Sequence, residues 1–331
     1  MGRTIKLAVK IAVAAVWVVF IVSVAKAETF PDRAIRIVVP YPATGSSDLL
    51  ARYLAQKLQE EWKVPVIVDN RPGAAGNAGM SSVAHSASDG YTLAMTNNAV
   101  AINVSLYEKI FDIENDFEPL GLIGVTPMVL AVNPKLPVKS IAELTALAKT
   151  EPDALDYGSC GIGTPQQLAI ELYKSMANVQ FFHVPYRGCA PALADAIAGR
   201  VQILATTAAQ MAPQLGAHLM RGLAVTSKER SGIVPDLPTL AEAGVAGYNL
   251  DIWFGMMAPA GTPKLILEKI HDDVAGILST PESRKKLTEM GIEYYVSSRE
   301  EHAQVLHDDI LRFGRLIKEL KLSQAAGAPQ Q

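Results

Sequence analysis

Short runs of β-forming residues alternate with amphipathic helical runs along most of this chain. Residues 34–41 have the composition of a buried strand, and residues 47–62 then place Leu50, Leu54 and Leu58 on one face of a helix. Alternation of this kind is typical of layered α/β architecture, in which helices cover the faces of a sheet. We therefore predict an α/β fold whose sheets are largely parallel and flanked by helices.

The alternation continues through the middle of the chain and changes beyond Pro235. The predicted elements are strands at 64–69, 91–96, 155–159, 179–184, 201–205 and 222–226 and helices at 165–177 and 191–198, and an apolar segment follows at 252–258. Capping boxes at Ser140 and Ser298 predict helix starts, as does Thr262 followed by Pro263, and Thr239 with Glu242 predicts a short helix. At roughly 100 to 200 residues per domain, 331 residues favour two domains.

The first 27 residues have the three parts of a secretory signal peptide. Arg3, Lys6 and Lys10 are positive, residues 11–25 are apolar, and Ala25-Lys26-Ala27 is an A-x-A cleavage site. An uncleaved anchor is the alternative, but this apolar run is shorter than the roughly 20 residues that a spanning helix needs. We expect cleavage and an exported mature chain that begins near Glu28.

The chain after residue 27 has more acidic than basic residues, which argues against polyanionic partners. Without residues 1–27, which carry four basic residues and no acidic one, the chain has 26 basic and 33 acidic residues. Nucleic acid and anionic membrane surfaces attract strongly basic proteins, so we expect neither as a partner. An anionic ligand would have to be attracted by local groups.

Two strand-to-helix turns are the best candidates for such groups. The first is Pro42-Ala-Thr-Gly-Ser-Ser-Asp48, and the second is Cys160-Gly-Ile-Gly-Thr164 with Pro165 at the first helical position. A helix N-terminus carries unpaired N–H groups and about half a positive charge, so a carboxylate fits there without a lysine or arginine. The alternative interpretation is that both turns are ordinary connections whose Ser, Thr and Gly residues serve only as caps.

Signals for catalysis are weak. The sequence has no G-x-S-x-G elbow, no phosphate-binding loop and no H-E-x-x-H helix, and its closest histidines, His302 and His307, are five residues apart. We therefore expect no metal and no cofactor. An exported α/β hydrolase-like enzyme with Cys160 as nucleophile and His183 as base is the competing hypothesis. Cys160 could equally form a disulfide with Cys189 in an oxidising compartment, or both could be free.

Several ordered blocks resemble one family of receptors. They are Tyr41-Pro-Ala-Thr-Gly-Ser-Ser-Asp48, Asp69-Asn-Arg-Pro-Gly-Ala-Ala-Gly76, Asp89-Gly-Tyr-Thr-Leu93, His183-Val-Pro-Tyr-Arg-Gly188, Leu223-Ala-Val-Thr-Ser227, Pro235-Asp-Leu-Pro-Thr239 and Ala258-Pro-Ala-Gly-Thr-Pro263. In this order they resemble the Bug receptors, the periplasmic solute-binding proteins of tripartite tricarboxylate transporters. The resemblance covers essentially the whole chain after residue 27.

The resemblance implies a two-lobed periplasmic binding protein of the second class (type II), with a sheet flanked by helices in each lobe and two chain crossovers. Lobe 1 would be 28–127 plus 248–331, and lobe 2 would be 128–247. The family holds a ligand carboxylate between two strand-to-helix turns, often through ordered water, and delivers it to a membrane permease. The matching candidate residues here are Ala43, Thr44, Gly45, Ser46, Ser47, Ser159, Gly161, Gly163, Thr164 and Thr206.

Two departures from the family pattern concern the ligand. Relatives commonly have Gly-Gly in the first turn, where this chain has Thr44-Gly45, and many have an acidic residue where this chain has Thr206-Thr207. Without that acid a ligand ammonium has no obvious partner, so a small organic carboxylate such as a dicarboxylate or an aromatic acid is favoured. We expect a monomer in the periplasm; a receptor that feeds a sensor kinase instead of a permease is a further alternative.

Overall fold

The computed structural model describes residues 30–43, 45–151 and 154–319. The predicted signal peptide and Thr44 lie outside the described residues. The first sheet has the strand order β2-β1-β3-β10-β4. Its strands are β1 (Ile35–Val39), β2 (Val66–Asn70), β3 (Thr92–Asn97), β4 (Phe117–Thr126) and β10 (Ile252–Pro259). The helices of this part of the chain are α1 (Ser46–Trp62), α2 (Asn77–Ala84), α3 (Ala99–Leu106), α8 (Lys264–Ser279), α9 (Pro281–Glu289) and α10 (Arg299–Glu319).

The second sheet is built from the middle of the chain and has the strand order β7-β6-β8-β5-β9. Its strands are β5 (Met128–Val132), β6 (Asp156–Ser159), β7 (Phe182–Pro185), β8 (Ile203–Thr207) and β9 (Arg221–Val225). Helices α4 (Ile141–Thr150), α5 (Pro165–Ala177), α6 (Cys189–Ala198) and α7 (Ala208–Gly216) belong to the same part. The predicted two-lobed α/β fold is confirmed.

The chain crosses between the sheets from β4 to β5 and again from β9 to β10, and Thr226 joins the two crossings. Its amide donates to the Met128 carbonyl at 2.9 Å, its hydroxyl accepts from the Met128 amide at 3.0 Å, and its carbonyl accepts from the Leu250 amide at 2.9 Å. Thr226 is fully buried. The lobe boundaries at 127/128 and 247/248 stay predictions.

The expectation of largely parallel sheets is wrong, because both sheets are mixed. β10 runs antiparallel to β3 and β4, and β5 runs antiparallel to β8 and β9. These are strands that directly follow a crossing, so they enter their sheets from the opposite direction to the strands of the strand–helix–strand units. The apolar run 120–132, interrupted by Pro127, is split between β4 and β5 in different sheets.

The predicted caps had different outcomes. The hydroxyls of Ser140 and Ser298 accept from the amides three residues later, at 3.1 and 3.0 Å, as predicted. Thr262 is not a cap: its hydroxyl donates to the Pro259 carbonyl at 2.7 Å, and α8 begins at Lys264. Thr239 accepts from the Glu242 amide at 3.0 Å, but residues 240–244 form a turn and not a helix.

Helix α10 closes over the first sheet through two buried contacts. The Trp253 Nε1 donates to Asp309 Oδ2 at 2.8 Å, which makes this aromatic residue part of the core. The fully buried His302 ring packs against Gly255 of β10 so closely that a Cβ on Gly255 would lie 2.5 Å from His302 Cε1. In the described part of the chain, no helix combines the length and the apolar character needed to cross a bilayer.

One covalent bond links two loops of the second sheet, and it decides the open question of the cysteines. Cys160 and Cys189 form a disulfide with a Cα–Cα distance of 4.3 Å. Backbone bonds support the same pairing, because the Gly188 amide donates to the Cys160 carbonyl at 3.1 Å and the Tyr186 amide donates to the Ser159 carbonyl at 3.1 Å. The loops after β6 and β7 are thereby held side by side.

The contact between His302 and Gly255 leads to a stability prediction. Gly255→Ala should lower the free energy of unfolding by about 1 to 3 kcal/mol, because a buried ring has no room to move away from the new methyl group. The matched control is Gly276→Ala in α8, where a Cβ meets nothing within 4 Å. That change should raise the free energy of unfolding by about 0.5 to 1 kcal/mol. Urea unfolding measures both, and equal effects would contradict the packing argument.

The disulfide leads to a second stability prediction. It joins cysteines 29 positions apart, and closing a loop of that size stabilises a folded chain by about 3.6 kcal/mol on loop-entropy grounds. Reduction with dithiothreitol should therefore lower the midpoint of thermal unfolding. A Cys160→Ala/Cys189→Ala variant should unfold at the same temperature with and without the reductant, and a wild-type midpoint unaffected by reduction would refute the link.

Candidate functional site

We call the part of the molecule that contains the first sheet the first half and the part that contains the second sheet the second half. A cleft of about 540 Å³ lies between the two halves, and both contribute residues to its walls. Cavities of about 440 and 680 Å³ also occur, but each is lined only by residues from 134–246, within the second half. The first half lines the cleft with Pro40, Tyr41, Pro42, Gly45, Ser46, Ser47, residues 72–76, Asn97, Ala99, Asn103, Ile252 and Phe254. The second half contributes Cys160, Ile162, Gly163, Thr164, Pro165, Gln166, Cys189, Thr207 and Gln210.

Half of the candidate site residues lie at this cleft. Gly45, Ser46, Ser47, Gly163 and Thr164 line it, so the two predicted turns face one shared space. Ala43, Ser159, Gly161 and Thr206 are not among the lining residues, and Thr44 lies outside the described residues. The Thr206 hydroxyl is buried in β8 and donates to Gln210 Oε1, whereas its neighbour Thr207 does line the cleft. A ligand contact for any of these residues stays a prediction.

The wall from the first half contains the start of α1. Gly45 is the N-cap residue, and a glycine has no side chain with which to cap the helix. The amides of Ser46 and Ser47 are at the first two helical positions, where N–H groups have no partner within the helix. Because the positive end of the helix dipole lies at the same point, this wall offers an anion both hydrogen-bond donors and a favourable potential.

A directed chain of hydrogen bonds leads to the same place. The Tyr41 hydroxyl donates to Asn97 Oδ1 at 3.0 Å, and Asn97 Nδ2 donates to Ser47 Oγ at 3.4 Å. The Ala99 amide also donates to Asn97 Oδ1, at 2.9 Å, which fixes the orientation of the Asn97 side chain. Since Ser47 Oγ accepts, its proton is left to be donated elsewhere.

The first donor of this chain keeps its proton. Burial raises the pKa of Tyr41 well above its usual value, because the phenolate would lose its hydration. Tyr41, Asn97 and Ser47 all line the cleft. We refer to these three residues as the donor chain. Hydrogen bonds that point in one direction polarise one another, so the Ser47 hydroxyl is a strengthened donor at the mouth of α1.

The wall from the second half differs, because its turn is satisfied by its own side chains. Thr164 Oγ1 accepts from the Gln167 amide at 3.4 Å and donates to the Gly161 carbonyl at 2.8 Å. The Gly163 amide donates to Gln167 Oε1 at 2.7 Å, and the Gly161 amide donates to Ser159 Oγ at 3.2 Å. The two turns are therefore not equivalent, although the sequence predicted the same role for both.

A buried network stands behind the second turn. His183 Nε2 lies 2.6 Å from Ser159 Oγ, and Gln167 Nε2 lies 3.3 Å from His183 Nδ1. Since Gln167 Oε1 faces an amide, its Nε2 must donate to Nδ1, and His183 then donates from Nε2. Burial lowers the pKa of His183 to about 4, so this ring is neutral near pH 7. Ser159 Oγ therefore accepts from His183 and from the Gly161 amide, and these bonds hold the turn in place.

The contacts of this region do not support Cys160 as a nucleophile with His183 as its base. Cys160 Sγ is bonded to Cys189, so it is not a free thiol, and the His183 nitrogens contact Ser159 and Gln167. In the described part of the chain, no group of three or more His, Cys, Asp or Glu side chains could hold a metal ion. The geometry offers groups for binding and no nucleophile–base pair at Cys160.

The electrostatic character of the cleft is unusual for an anion site. Among the described residues that line it, none is Asp, Glu, Lys, Arg or His. Attraction for an anion must come from N–H and O–H dipoles, and an ammonium group would find no carboxylate among these residues. Apolar side chains such as Ile162, Ile252 and Phe254 supply much of the remaining wall.

Sequence reasoning missed Tyr41, Asn97, Asn103, Thr207 and Gln210 as cleft residues. A signal was present for Asn97, because it ends β3, and β1 and β3 are parallel neighbours whose carboxyl ends meet at one sheet edge. No local signal marks Asn103, which lies within α3 after β3, or Gln210, which lies within α7 after β8.

Comparison with known proteins agrees with this geometry. The model of the TctC family, described as tripartite tricarboxylate transporter family receptor, matches residues 50–322. Protein BugT of Bordetella pertussis is 31% identical over 296 residues, covering 88% of this chain and 91% of BugT.

Two solved structures that are similar to this chain hold a bound ligand. Rpa4515 of R. palustris with adipate has a TM-score of 0.78 at 35% identity, covering 88% of this chain and 99% of that one. MatC of Rhodopseudomonas palustris with bound malate has a TM-score of 0.74 at 28% identity, covering 87% and 100%.

These matches extend over most of the chain, and the relatives share its two-sheet architecture. The family model matches residues 50–322. This range contains all the cleft-lining residues except those at 40–47. The resemblance to Bug receptors seen in the sequence is thereby confirmed. This chain belongs to the tripartite tricarboxylate transporter receptor family, TctC.

Proposed function

We propose that this protein is a periplasmic receptor that binds a small organic carboxylate in the cleft between its halves and delivers it to a membrane permease. The observation that carries the proposal is the start of α1, which has glycine as its N-cap residue and lies with the donor chain at a cleft whose described lining residues are uncharged. Support also comes from the relatives, since Rpa4515 holds adipate and MatC holds malate. Family membership and a periplasmic relative, BugD, imply the periplasmic location.

The ligand carboxylate would bind at the first turn. Its oxygens would accept from the amides of Ser46 and Ser47 and from the Ser47 hydroxyl. Asp48 follows in the same helical turn, but it does not oppose this anion with an uncompensated charge. Asp48 Oδ2 accepts from Arg52 Nε at 3.0 Å and Asp48 Oδ1 accepts from Asn70 Nδ2 at 2.9 Å.

The second half would close over the ligand with Thr164, Thr207 and Gln210. Cleft closure requires a ligand that contacts both halves, because only a difference in affinity between the open and closed states drives the motion. The bonds of Thr226 to Met128 and Leu250 lie at the chain crossings and support a hinge there. We propose the lobes as 28–127 plus 248–331 and 128–247 on this basis.

The absence of cations from the described cleft wall suits a receptor that must release its ligand. Hydrogen bonds to neutral donors hold a carboxylate, while an arginine pair would add a charge-assisted bond that must be broken again at the permease. Removal of residues 1–27 during export and delivery to permease subunits belong to the same proposal.

A thermal-shift screen of the mature protein tests the function. The panel should contain succinate, adipate, malate, citrate, benzoate and glutamate. A carboxylate present at 100 times its dissociation constant should stabilise the protein by about 2.7 kcal/mol. Amides of the same acids are the matched controls and should have no effect. If no acid in the panel raises the midpoint, or the amides raise it equally, the proposed function is wrong.

Ser47→Ala tests how the carboxylate is held. Loss of a hydrogen bond to a charged group costs about 1.5 to 3 kcal/mol, so carboxylate affinity measured by calorimetry should fall at least about tenfold. The control is Ser86→Ala, which removes a hydroxyl that donates to the Ser82 carbonyl at 2.8 Å outside the cleft. Unchanged affinity in Ser47→Ala would show that the donor chain does not serve the ligand.

A further inference from the structure

One buried acceptor in the cleft wall has no partner in the protein. Asn103 lies on α3, is 5% exposed and lines the cleft. Its Nδ2 donates to the Ala75 carbonyl at 2.9 Å and to Asn77 Oδ1 at 3.0 Å. Because a carbonyl can only accept, these bonds fix which side of the amide is nitrogen. The Asn103 Oδ1 is then left buried without a hydrogen-bond partner.

This atom stands apart from the other unpartnered polar atoms of the described residues. Those belong to Asn98, Ser227, Asp251, His302 and Arg312, and none of these residues lines the cleft. Asn103 also borders a smaller cavity of about 140 Å³, which is lined in part by Val100, Val104 and Phe111. The cleft of about 540 Å³ is the larger of the two spaces that Asn103 borders.

A buried acceptor without a donor is unfavourable, and a ligand that supplies the donor removes the penalty. Sites built in this way discriminate strongly against analogues that lack the donor. An ammonium group would be a donor, but it would lose its hydration in a cleft whose described residues include no carboxylate. A hydroxyl supplies the donor without a charge.

We propose that the ligand is a hydroxycarboxylate, whose acid group binds at the start of α1 and whose hydroxyl donates to Asn103 Oδ1. The inference rests on the proposed function, since it concerns the same cleft. Asn103 is then the residue that selects hydroxylated acids, and the donor chain is the part of the site that accepts any acid.

The test compares matched acids that differ by one hydroxyl: lactate with propionate, malate with succinate, and 4-hydroxybenzoate with benzoate. Calorimetry on the mature wild-type protein gives the ratio of dissociation constants within each pair. Among the pairs that bind, the hydroxylated acid should bind at least about fivefold more tightly, the lower bound for satisfying a buried group. This comparison needs no variant, so it does not depend on whether a substituted protein folds.

Asn103→Ala should reduce the ratio to about one, because the acceptor is removed. The matched control is Asn98→Ala, which removes another buried asparagine oxygen without a partner, at a residue that is not among those lining the cleft. The ratio should remain unchanged in that variant, even if its stability falls, because both acids of a pair bind the same folded protein.

The possible failures are distinguishable. If no acid of either panel binds, the proposed function and this inference both fail. If acids bind but the wild-type ratio is near one, or only acids without a hydroxyl bind, the proposed function stands and the hydroxyl preference is wrong. A ratio that persists in Asn103→Ala also overturns the assignment, because another group would then accept the hydroxyl.

Discussion

The hydrogen bonds of Thr226 hold the two chain crossings side by side, and the cleft depends on them. Its bonds to Met128 and Leu250 fix where the chain leaves one sheet and enters the other. The walls of the cleft come from strand ends and helix starts in opposite halves, so their separation is set at these crossings. A hinge placed there changes the width of the cleft and leaves each wall intact, which is what a receptor that closes over its ligand requires.

The two walls of the cleft differ in the donors that they leave available to a ligand. At α1 the N-cap residue is Gly45, which has no side chain to cap the helix, and the donor chain of Tyr41, Asn97 and Ser47 ends in a hydroxyl at the cleft. In the opposite turn, Gln167 and Ser159 already accept from the amides of Gly163 and Gly161, and the disulfide at Cys160 holds the turn to its neighbouring loop. The first wall offers donors, while the second offers a rigid surface with Thr164, Thr207 and Gln210.

Prediction from the sequence succeeded where the signal is local. The helix predicted at 165–177 is α5 to the residue, because a threonine cap and a proline at the first helical position define its start. Prediction failed where the answer depends on distant residues. Strand direction in β5 and β10 follows from the crossings, and no window of ten residues shows it. The predicted Thr262 cap failed for a local reason, because its hydroxyl donates to the Pro259 carbonyl three residues earlier instead of capping α8.

The sequence by itself determined the α/β class, the two strand-to-helix turns, the absence of lysine and arginine from those turns and the family, because each is written in neighbouring residues or ordered motifs. The tertiary structure decided which turn offers donors, that Cys160 is bonded to Cys189 and not free, and that Asn103 keeps an unpartnered oxygen in the cleft wall. These features join residues as far apart as Tyr41 and Asn97 or Cys160 and Cys189. Their distances are set by strand order and helix placement, which no local pattern encodes, since hydrogen bonds and disulfides form only between groups that the whole fold brings within a few ångströms.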